Sequence, residues 1–423
     1  MKTTFLGSNG LLASIGITLF LFFFIFGMPT PIGSLTPLLT VGVVLWGVLN
    51  YQRYFLYFPK EILFLFLFLF FDLLVCLFVP VLMGTYDFSI IQTKVNFIAS
   101  LLATYVLARS FSSNNKISEK QFFNLLLAIF VIQAVLVVAM LVNSDLSQMI
   151  TSFTRSSDQG TRVLESYAGA RGLGVADSSA FGFAIVMGLL IFLTFFSYQN
   201  KFINIKYFAV LLLLGVVASI SAGRTAILGL ILGLVYLFLN FKNTRSFATL
   251  LSTFLIIIIA GYFLVSIDRD SIQNDTLGYF YSYSMEPILN YINEGSFAST
   301  STDALQNMYF PLTEQQYLIG DGRYMDGESY YMSTDAGYMR FALFYGGVFS
   351  LMLYSYFTYF VVKLIFLERK NILLLFFLLI FSLALHYKGE VVLFSISYNK
   401  VLFLTLFFIY MKSIGINKKV QYD

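Results

Sequence analysis

The stretch SISAGRTAILGLILGLVYLFL, residues 219–239, decides the fold class of this chain. Apart from Arg224 it is an apolar run long enough to cross a lipid bilayer, which takes about 20 residues. A guanidinium stays protonated in proteins, so Arg224 cannot make its burial cheaper by losing its charge. The run predicts a membrane-spanning helix and, at Arg224, either an anchor for the helix end or a binding site for an anion.

The whole chain has the composition of a membrane protein with many spans. Of its 423 residues, 58% are hydrophobic and 11% are charged, whereas soluble domains carry about 25% charged residues. Its mean hydropathy is +0.81. One cysteine and one histidine exclude an intrachain disulfide and a Cys- or His-cluster metal site. The sequence has no extended basic patch, which argues against nucleic-acid binding. It also has no P-loop, which argues against nucleotide binding of the kind found in soluble NTPases.

Apolar runs of span length occur 12 times along the sequence. We therefore predict an all-α polytopic membrane protein of 12 transmembrane helices, forming one membrane domain over residues 1–423. Two connections are long, 144–177 and 267–336. The second contains EPILNYINEGSF, which predicts a short amphipathic helix within an ordered cap. The runs are 11–28, 33–49, 61–83, 88–108, 121–143, 178–197, 205–220, 222–240, 246–266, 337–362, 371–387 and 391–411.

The distribution of Lys and Arg predicts the orientation of these spans. With both termini in the cytoplasm, every cytoplasmic segment carries a basic residue, and these segments together hold 16 of the 26. Both long loops then face outward. No cleavage site follows the first apolar run, which is therefore predicted to be a retained span.

Several remaining ionisable residues fall near the outer ends of the predicted spans. Arg224 begins a span there, and Arg340 follows Asp335 by about one helical turn. The turn between the last two spans carries three more: His386, Lys388 and Glu390. Each arginine is either a helix anchor or part of a cavity whose guanidiniums bind phosphate or pyrophosphate through paired hydrogen bonds. His386 is either structural or a base.

Three ionisable residues fall deeper in the predicted spans. Asp72 and Lys400 lie near the middle of the membrane, and Lys94 lies about two turns below its outer surface. A charge at the bilayer centre costs at least about 3 kcal/mol on insertion scales, so such residues usually face the bundle interior or a wet cavity. Asp72 and Lys94 are either a structural ion pair or part of such a cavity, and Lys400 either supports the fold or snorkels.

Two glycine-rich segments supply further polar groups on the predicted outer side. GARGLGVADSSAFG, residues 169–182, places Arg171 before a span. YLIGDGRYMDGESYYMSTDAGYMRFALFYGG, residues 317–347, combines glycine turns, carboxylates, Arg323 and tyrosines such as Tyr324 and Tyr338. Glycines let the backbone approach a ligand closely, and tyrosines offer flat faces and hydroxyls to sugar rings. The alternative is a connecting loop rich in turn residues.

Together these features resemble the Wzy-type O-antigen and capsular polysaccharide polymerases, of the O-antigen polymerase and ligase superfamily. The resemblance rests on SAGRTA (221–226), on IGDGR and STDAGYMRF in the second long loop and its end, on the Gly346–Gly347 pair, and on Arg171 separated from Gly182 by ten residues. It covers the architecture of the whole chain, and its motifs are short and degenerate.

The resemblance implies a GT-C-like fold in a bacterial cytoplasmic membrane and a role in lipopolysaccharide or capsule biosynthesis. It implies transfer of a growing glycan from an undecaprenyl-pyrophosphate carrier to a new lipid-linked repeat unit, on the periplasmic side, without cofactor or metal. Membrane lipids and a chain-length regulator are the further partners implied. The pyrophosphate would be held by Arg224, Arg171, Arg340, Arg323 and Lys388. The base would be His386, Asp335 or Glu390, and Tyr324 and Tyr338 would bind sugar.

Two other functions remain open at this point. An O-antigen ligase shares the loop plan and the lipid donor but delivers glycan to the lipid A core. A secondary transporter or a flippase for lipid-linked oligosaccharide commonly has about 12 spans too. In such a protein we would expect broken helices, and polar residues from several spans at the middle of the membrane. No internal repeat typical of transporters is visible in the sequence.

Overall fold

The computed structural model describes residues 8–30, 33–112, 117–154, 170, 172–178, 181–240, 251, 275–296 and 299–420. Within these ranges the chain forms 17 α-helices and two hairpins of two-residue strands. The prediction of an all-α membrane protein is confirmed at this level.

The elements are numbered here in chain order. The helices are α1 (Ser8–Phe26), α2 (Leu35–Leu49), α3 (Tyr51–Tyr54), α4 (Lys60–Leu82), α5 (Ser89–Ser112), α6 (Glu119–Val142), α7 (Ser144–Thr154), α8 (Phe181–Gln199), α9 (Ile205–Ala222), α10 (Ile227–Leu239), α11 (Asp275–Glu294), α12 (Thr300–Asn307), α13 (Glu314–Leu318), α14 (Gly337–Tyr345), α15 (Gly347–Leu367), α16 (Ile372–His386) and α17 (Ile396–Val420). The antiparallel hairpins pair β1 (Pro29–Thr30) with β2 (Gly33–Ser34) and β3 (Met325–Asp326) with β4 (Ser329–Tyr330). Short 3₁₀ turns cover Arg224–Ala226, Tyr331–Ser333 and Arg369–Asn371.

Seven helices in the described ranges are long and apolar enough to cross a membrane: α4, α5, α6, α8, α9, α15 and α16 with its preceding 3₁₀ turn. Three apolar helices are shorter: Leu12–Phe26, Leu35–Leu49 and Arg224–Leu239. The predicted run 246–266 lies outside the described residues apart from position 251, and the run 391–411 falls in α17, which is not among the seven. The count of 12 spans and the GT-C-like class therefore stay predictions.

The predicted single span over 337–362 is wrong in one respect, because the structure divides it into α14 and α15. The break is at Gly346, whose φ of +82° favours glycine. A Cβ at this position would lie 2.5 Å from the carbonyl oxygen of Leu318. The α13 end occupies the space beside the break, so the two helices cannot run on as one.

The predicted long loops contain regular structure where they are described. Helix α7 occupies the start of the first loop, and residues 155–169 and Arg171 lie outside the described residues. The second loop contains α11, α12, α13 and the β3–β4 hairpin, and the stretch predicted as a short helix is the C-terminal half of α11.

The chain forms two compact units, each described here by itself. Unit 1 comprises residues 1–39 and 117–297, and unit 2 comprises 40–116 and 298–423. Unit 1 is built around α8, whose side chains are apolar on all sides and almost entirely buried against α6, α9 and α10. Gly229 and Gly233 of α10 form a G-x-x-x-G pair against α8, and such small residues let helix backbones approach closely.

Unit 2 has α17 packed along α5, and α4 also packs against α5. Polar contacts are found at both ends of α4. At the N-terminal end of α4, Glu61 pairs with Lys363 at 3.3 Å, and Arg109 donates a hydrogen bond to the carbonyl of Tyr57. At the other end, Asp87 holds the loop before β3. The predicted alternation of the loops between the two sides of the membrane, and which side faces the cytoplasm, stay predictions.

The contact of α10 with α8 makes a prediction about stability. A Cβ on Gly229 would lie 1.9 Å from the carbonyl oxygen of Gly188, so the backbones would have to separate. We expect Gly229→Ala to lower the melting temperature of the purified protein by several degrees, because overpacking typically costs about 1–3 kcal/mol. Gly42→Ala is the matched control, since nothing lies within 4 Å of a Cβ there. Equal melting temperatures for the two variants would contradict the packing argument.

Candidate functional site

The sequence-predicted residues Arg340 and Glu390 come together because two backbones touch in unit 2. A Cβ on Gly337, the first residue of α14, would lie 2.4 Å from the carbonyl oxygens of His386 and of Gly389. Only glycine permits this approach of α14 to the turn that follows α16. Arg340 stands one turn further along α14, and Glu390 directly follows the touching turn, so their side chains meet.

The guanidinium of Arg340 is held on every side. Its Nη1 donates to Oε2 of Glu390 at 3.0 Å, and its Nη2 donates to the carbonyl of Tyr324 at 3.3 Å. The Cζ atom lies 3.8 Å from the ring centroid of Tyr324 and 3.7 Å from that of Tyr330. The cation is thus stacked between two rings, and Arg340 is 3% exposed.

Glu390 completes this group with a carboxylate that is only half used. Its Oε2 accepts from Arg340, whereas its buried Oε1 has no partner in full hydrogen-bond geometry among the described residues, with the hydroxyl of Tyr324 near enough to act on the carboxyl group. Burial raises the pKa of Glu390, and the charge of Arg340 and the hydroxyl of Tyr324 oppose that rise without cancelling it. The free oxygen and the raised pKa make Glu390 a carboxyl suited to taking up a proton.

His386 holds the turn on which Glu390 stands. Its Nδ1 accepts hydrogen bonds from the backbone N–H groups of Val391 and Val392 at 3.0 and 3.1 Å. Its Nε2 lies 3.1 Å from the hydroxyl of Tyr354. Because Nδ1 is the acceptor, the neutral ring carries its proton on Nε2 and donates it to Tyr354. His386 is 0% exposed and both ring nitrogens are engaged, which corresponds to the structural alternative for this residue.

Asp87 fixes the loop that carries Tyr324. Its Oδ2 accepts the backbone N–H groups of Tyr324 and Met325 at 2.6 and 2.7 Å, and its Oδ1 accepts the hydroxyl of Ser89 at 2.6 Å. Burial raises the pKa of Asp87, but the hydrogen bonds from Ser89, Met325 and Tyr324 outweigh burial and lower it overall. Sequence analysis missed Asp87, because no spacing links this short turn to a loop more than 200 residues away.

The other predicted residues of unit 2 have different surroundings. Arg323 is exposed and pairs with Asp326 at 2.7 Å. Asp335 is exposed just before α14, within the electrostatic influence of Lys388 and Arg340.

The two tyrosines predicted to bind sugar have their polar groups or faces occupied. Tyr338 donates its hydroxyl to the carbonyl of Leu383 at 2.8 Å. The ring of Tyr324 is 9% exposed and lies beneath Arg340. The exposed ring at this site is Tyr330, at 45%. Sequence analysis did not single out Tyr330, since nothing in its position distinguishes it from the neighbouring tyrosines.

Arg224 belongs to unit 1, where it forms a second group of the same kind. Its Nη1 lies 2.6 Å from Oε2 of Glu286, and its Cζ lies 4.5 Å from the ring centroid of Tyr283. The hydroxyl of Tyr283 also accepts the backbone N–H of Arg224 at 3.3 Å. Tyr283 and Glu286 lie three residues apart on α11, so a helix of the second long loop supplies both the counter-charge and the ring. Arg171 lies outside the described residues.

Two of the three deep ionisable residues pair with each other. Lys94 and Asp72 pair at 2.8 Å, with side chains 2% and 1% exposed, which confirms the predicted ion pair. Among the described residues, no three or more His, Cys, Asp or Glu side chains are grouped so that they could hold a metal ion.

Comparisons of the chain with protein-family models, with curated proteins and with solved structures find no match. The group of Arg340, Glu390, Tyr324 and Tyr330 offers a cation for an anionic ligand, a carboxyl able to take up a proton and an exposed aromatic face.

The role of Asp87 is testable by amide exchange. We expect Asp87→Asn to speed hydrogen–deuterium exchange at Tyr324 and Met325 about 10- to 100-fold. The carboxylate accepts from four donors, the hydroxyl and N–H of Ser89 and the N–H groups of Tyr324 and Met325, and an amide has only one oxygen to offer them. Hydrogen bonds to charged groups contribute about 1.5–3 kcal/mol, and the partial exposure of Asp87 reduces this.

The same residue gives a pH dependence of known sign. The pKa of Asp87 is lowered in the folded protein, so its ionised carboxylate stabilises the fold. This contribution to the free energy of unfolding is complete at pH values above the ordinary pKa near 3.8 and is lost as the pH falls through the lowered pKa. Asp326→Asn is the control, since its exposed ion pair with Arg323 contributes little. Unchanged exchange in Asp87→Asn would show that the loop is held by other contacts.

Proposed function

We propose that this protein is a membrane glycosyltransferase of the Wzy type, which joins lipid-pyrophosphate-linked oligosaccharide units into a surface polysaccharide. The observation that carries the proposal is the buried Arg340–Glu390 pair, enclosed by Tyr324 and Tyr330 within a glycine-rich loop. Glycosyl transfer from a pyrophosphate donor needs a base for the acceptor hydroxyl and a cation for the leaving group. This pair contains both in direct contact.

In the proposed reaction, proton transfer and charge stabilisation are coupled. The acceptor hydroxyl oxygen bonds to the anomeric carbon of the donor, its proton passes to the free Oε1 of Glu390, and the bond from carbon to pyrophosphate oxygen breaks with its electron pair on the pyrophosphate. Once protonated, Glu390 no longer neutralises Arg340. The positive charge of the guanidinium then becomes available as negative charge develops on the leaving group.

Access to Arg340 requires movement of one ring. Tyr330 covers the guanidinium from the exposed side. It belongs to β4, and each strand of the β3–β4 hairpin is only two residues long. Its displacement by the donor would uncover the cation, and its ring face would then be free for a sugar. Tyr330 replaces Tyr324 and Tyr338 as the preferred sugar-binding residue in this proposal, because the latter two are engaged inside the protein.

A transporter or flippase is the second candidate, favoured by the helix breaks at Gly223 and Gly346. An O-antigen ligase would use the same donor and differ only in its acceptor. Purified protein in liposomes separates these functions. A polymerase lengthens glycan on the lipid carrier, a ligase transfers glycan from the carrier to added lipid A core, and a flippase moves the lipid-linked glycan across the bilayer without changing its length. Deletion of the gene should leave single repeat units in place of long chains on a gel of surface glycan.

The Glu390 role predicts a large effect of a small substitution. We expect Glu390→Gln to lower the rate of polymerisation about 10²–10⁴-fold, the usual contribution of a general base. Glu328→Gln makes the same chemical change at an exposed position of the same loop and should leave the rate unchanged. The measurement is chain growth on the lipid carrier, and a Glu390→Gln rate within threefold of wild type would remove Glu390 from the mechanism.

The arginines are tested by substitutions that keep the charge. Lysine lacks the planar fork and stacks less well on rings, so Arg340→Lys should slow chain growth about 10²-fold. The same change at Arg224 should slow chain growth if this residue also holds pyrophosphate, whereas unchanged chain length would identify Arg224 as an anchor. Arg369→Lys, at an exposed position, is the control for both.

A further inference from the structure

The ion pair of Lys94 with Asp72 lies inside unit 2 and has no role in the proposed reaction so far. Lys94 is on α5 and Asp72 is on α4, both candidate spans, and the pair is almost fully buried. Removing two charges from water is expensive, and buried ion pairs are often no more stable than apolar residues of the same volume. The position of the pair therefore calls for an explanation beyond stability.

The ammonium of Lys94 lies among three aromatic rings. Its Nζ is 5.2 Å from the ring centroid of Phe341, 5.5 Å from that of Tyr345 and 5.4 Å from that of Phe394. Desolvated cation–π contacts of this kind are the stronger ones. Phe341 follows Arg340 directly on α14, and Phe394 stands four residues after Glu390. Lys94 therefore contacts both segments that carry the proposed catalytic pair.

Helix α4 holds the same segment from the side of Asp72. Cys76, one turn after Asp72, has its Sγ 3.0 Å from the hydroxyl of Tyr345. Phe341, Tyr345, Phe394 and Cys76 belong to one buried cluster together with Tyr324, the ring beneath Arg340. A continuous set of contacts thus runs from the Lys94–Asp72 pair to the arginine and its carboxylate partner.

We propose that Lys94 is a positioning residue for the Arg340–Glu390 pair: its ammonium, neutralised by Asp72, holds Phe341 and Phe394 so that the two segments keep their catalytic register. This inference rests on the proposed function. It adds Lys94 of α5, which lies outside the glycine-rich segment 317–347, to the residues that serve the proposed reaction.

The charge of Lys94 also acts on Glu390 directly. The titratable and charged groups that interact with Glu390 include Arg340 from α14, Tyr324 and Asp335 from the loop before α14, Lys94 from α5 and Tyr354 from α15. Arg340, Tyr324 and Lys94 lower the pKa of Glu390, against the rise caused by burial, and Asp335 raises it. Loss of the Lys94 charge should therefore move the protonation of Glu390 to higher pH, a change that packing alone would not produce.

The test compares one double variant with wild type in the liposome assay of chain growth. Lys94→Met with Asp72→Asn removes both charges together, so no unpaired charge is left buried, as it would be in either single variant. We expect this variant to accumulate and to melt near wild type, with kcat lowered about 30-fold and the donor KM within about threefold. The acidic limb of its pH–rate profile should shift to higher pH. Lys94→Arg, which keeps the cation, should keep at least about a third of the wild-type kcat.

The ion pair of Lys363 with Glu61 provides the matched control. Lys363→Met with Glu61→Gln removes a pair at the N-terminal end of α4, away from the proposed site, and should change neither kcat nor the pH profile. If the Lys94/Asp72 double variant does not accumulate, Phe394→Leu decides by the same kcat measurement, because it removes one ring from the ammonium without exposing a charge.

The outcomes separate the inference from the function it rests on. No chain growth by the wild type, in the presence of donor and acceptor, overturns the proposed function and the inference with it. Chain growth by wild type, matched in kcat and pH profile by the double variant, overturns the inference alone. A fall in kcat with no shift of the acidic limb, and no recovery in Lys94→Arg, would show that Lys94 is structural only.

Discussion

The structure of unit 2 depends on one physical constraint: a charge buried among apolar helices needs a counter-charge and hydrogen bonds within reach. Arg340 satisfies it with Glu390, and the rest of the local architecture serves that contact. Gly337 allows two backbones to touch, His386 fixes the turn before Glu390, and Asp87 fixes the loop of Tyr324. Each of these residues acts on the backbone segments that carry the pair or the ring beside it.

The incomplete use of Glu390 gives this constraint a chemical meaning. A buried carboxylate oxygen that lacks a hydrogen bond costs free energy. Here Oε1 is left without a hydrogen bond from the described residues, and burial raises the pKa. A pair of this kind is neutral at rest and becomes cationic when its carboxylate takes up a proton. The Arg224 group in unit 1 repeats the combination of arginine, glutamate and tyrosine. Its glutamate, Glu286, lies on the helix α11 and not in a turn between two helices as Glu390 does.

Sequence reasoning predicted the membrane class, many of the helices and several members of the site. It placed Arg340, Glu390 and His386 at one end of neighbouring spans, and it weighed a pairing of Asp72 with Lys94 that the structure confirms. It was wrong about an unbroken span over 337–362, because hydropathy is continuous through Gly346 while the backbone conformation is not. It also missed Asp87 and Tyr330, whose importance depends on partners far away in the chain.

The sequence by itself determined that this chain is an all-helical membrane protein, because the length and number of apolar runs are local properties that the bilayer reads directly. The basic residues of its loops gave the predicted orientation in the same local way. Only the tertiary structure decided which charges neutralise one another. Arg340 and Glu390 are 50 positions apart, Lys94 and Asp72 are 22 apart, and Arg224 and Glu286 are 62 apart. Nothing in the order of residues distinguishes these partners from other acids and bases, since their attraction becomes decisive only after packing has removed the water between them.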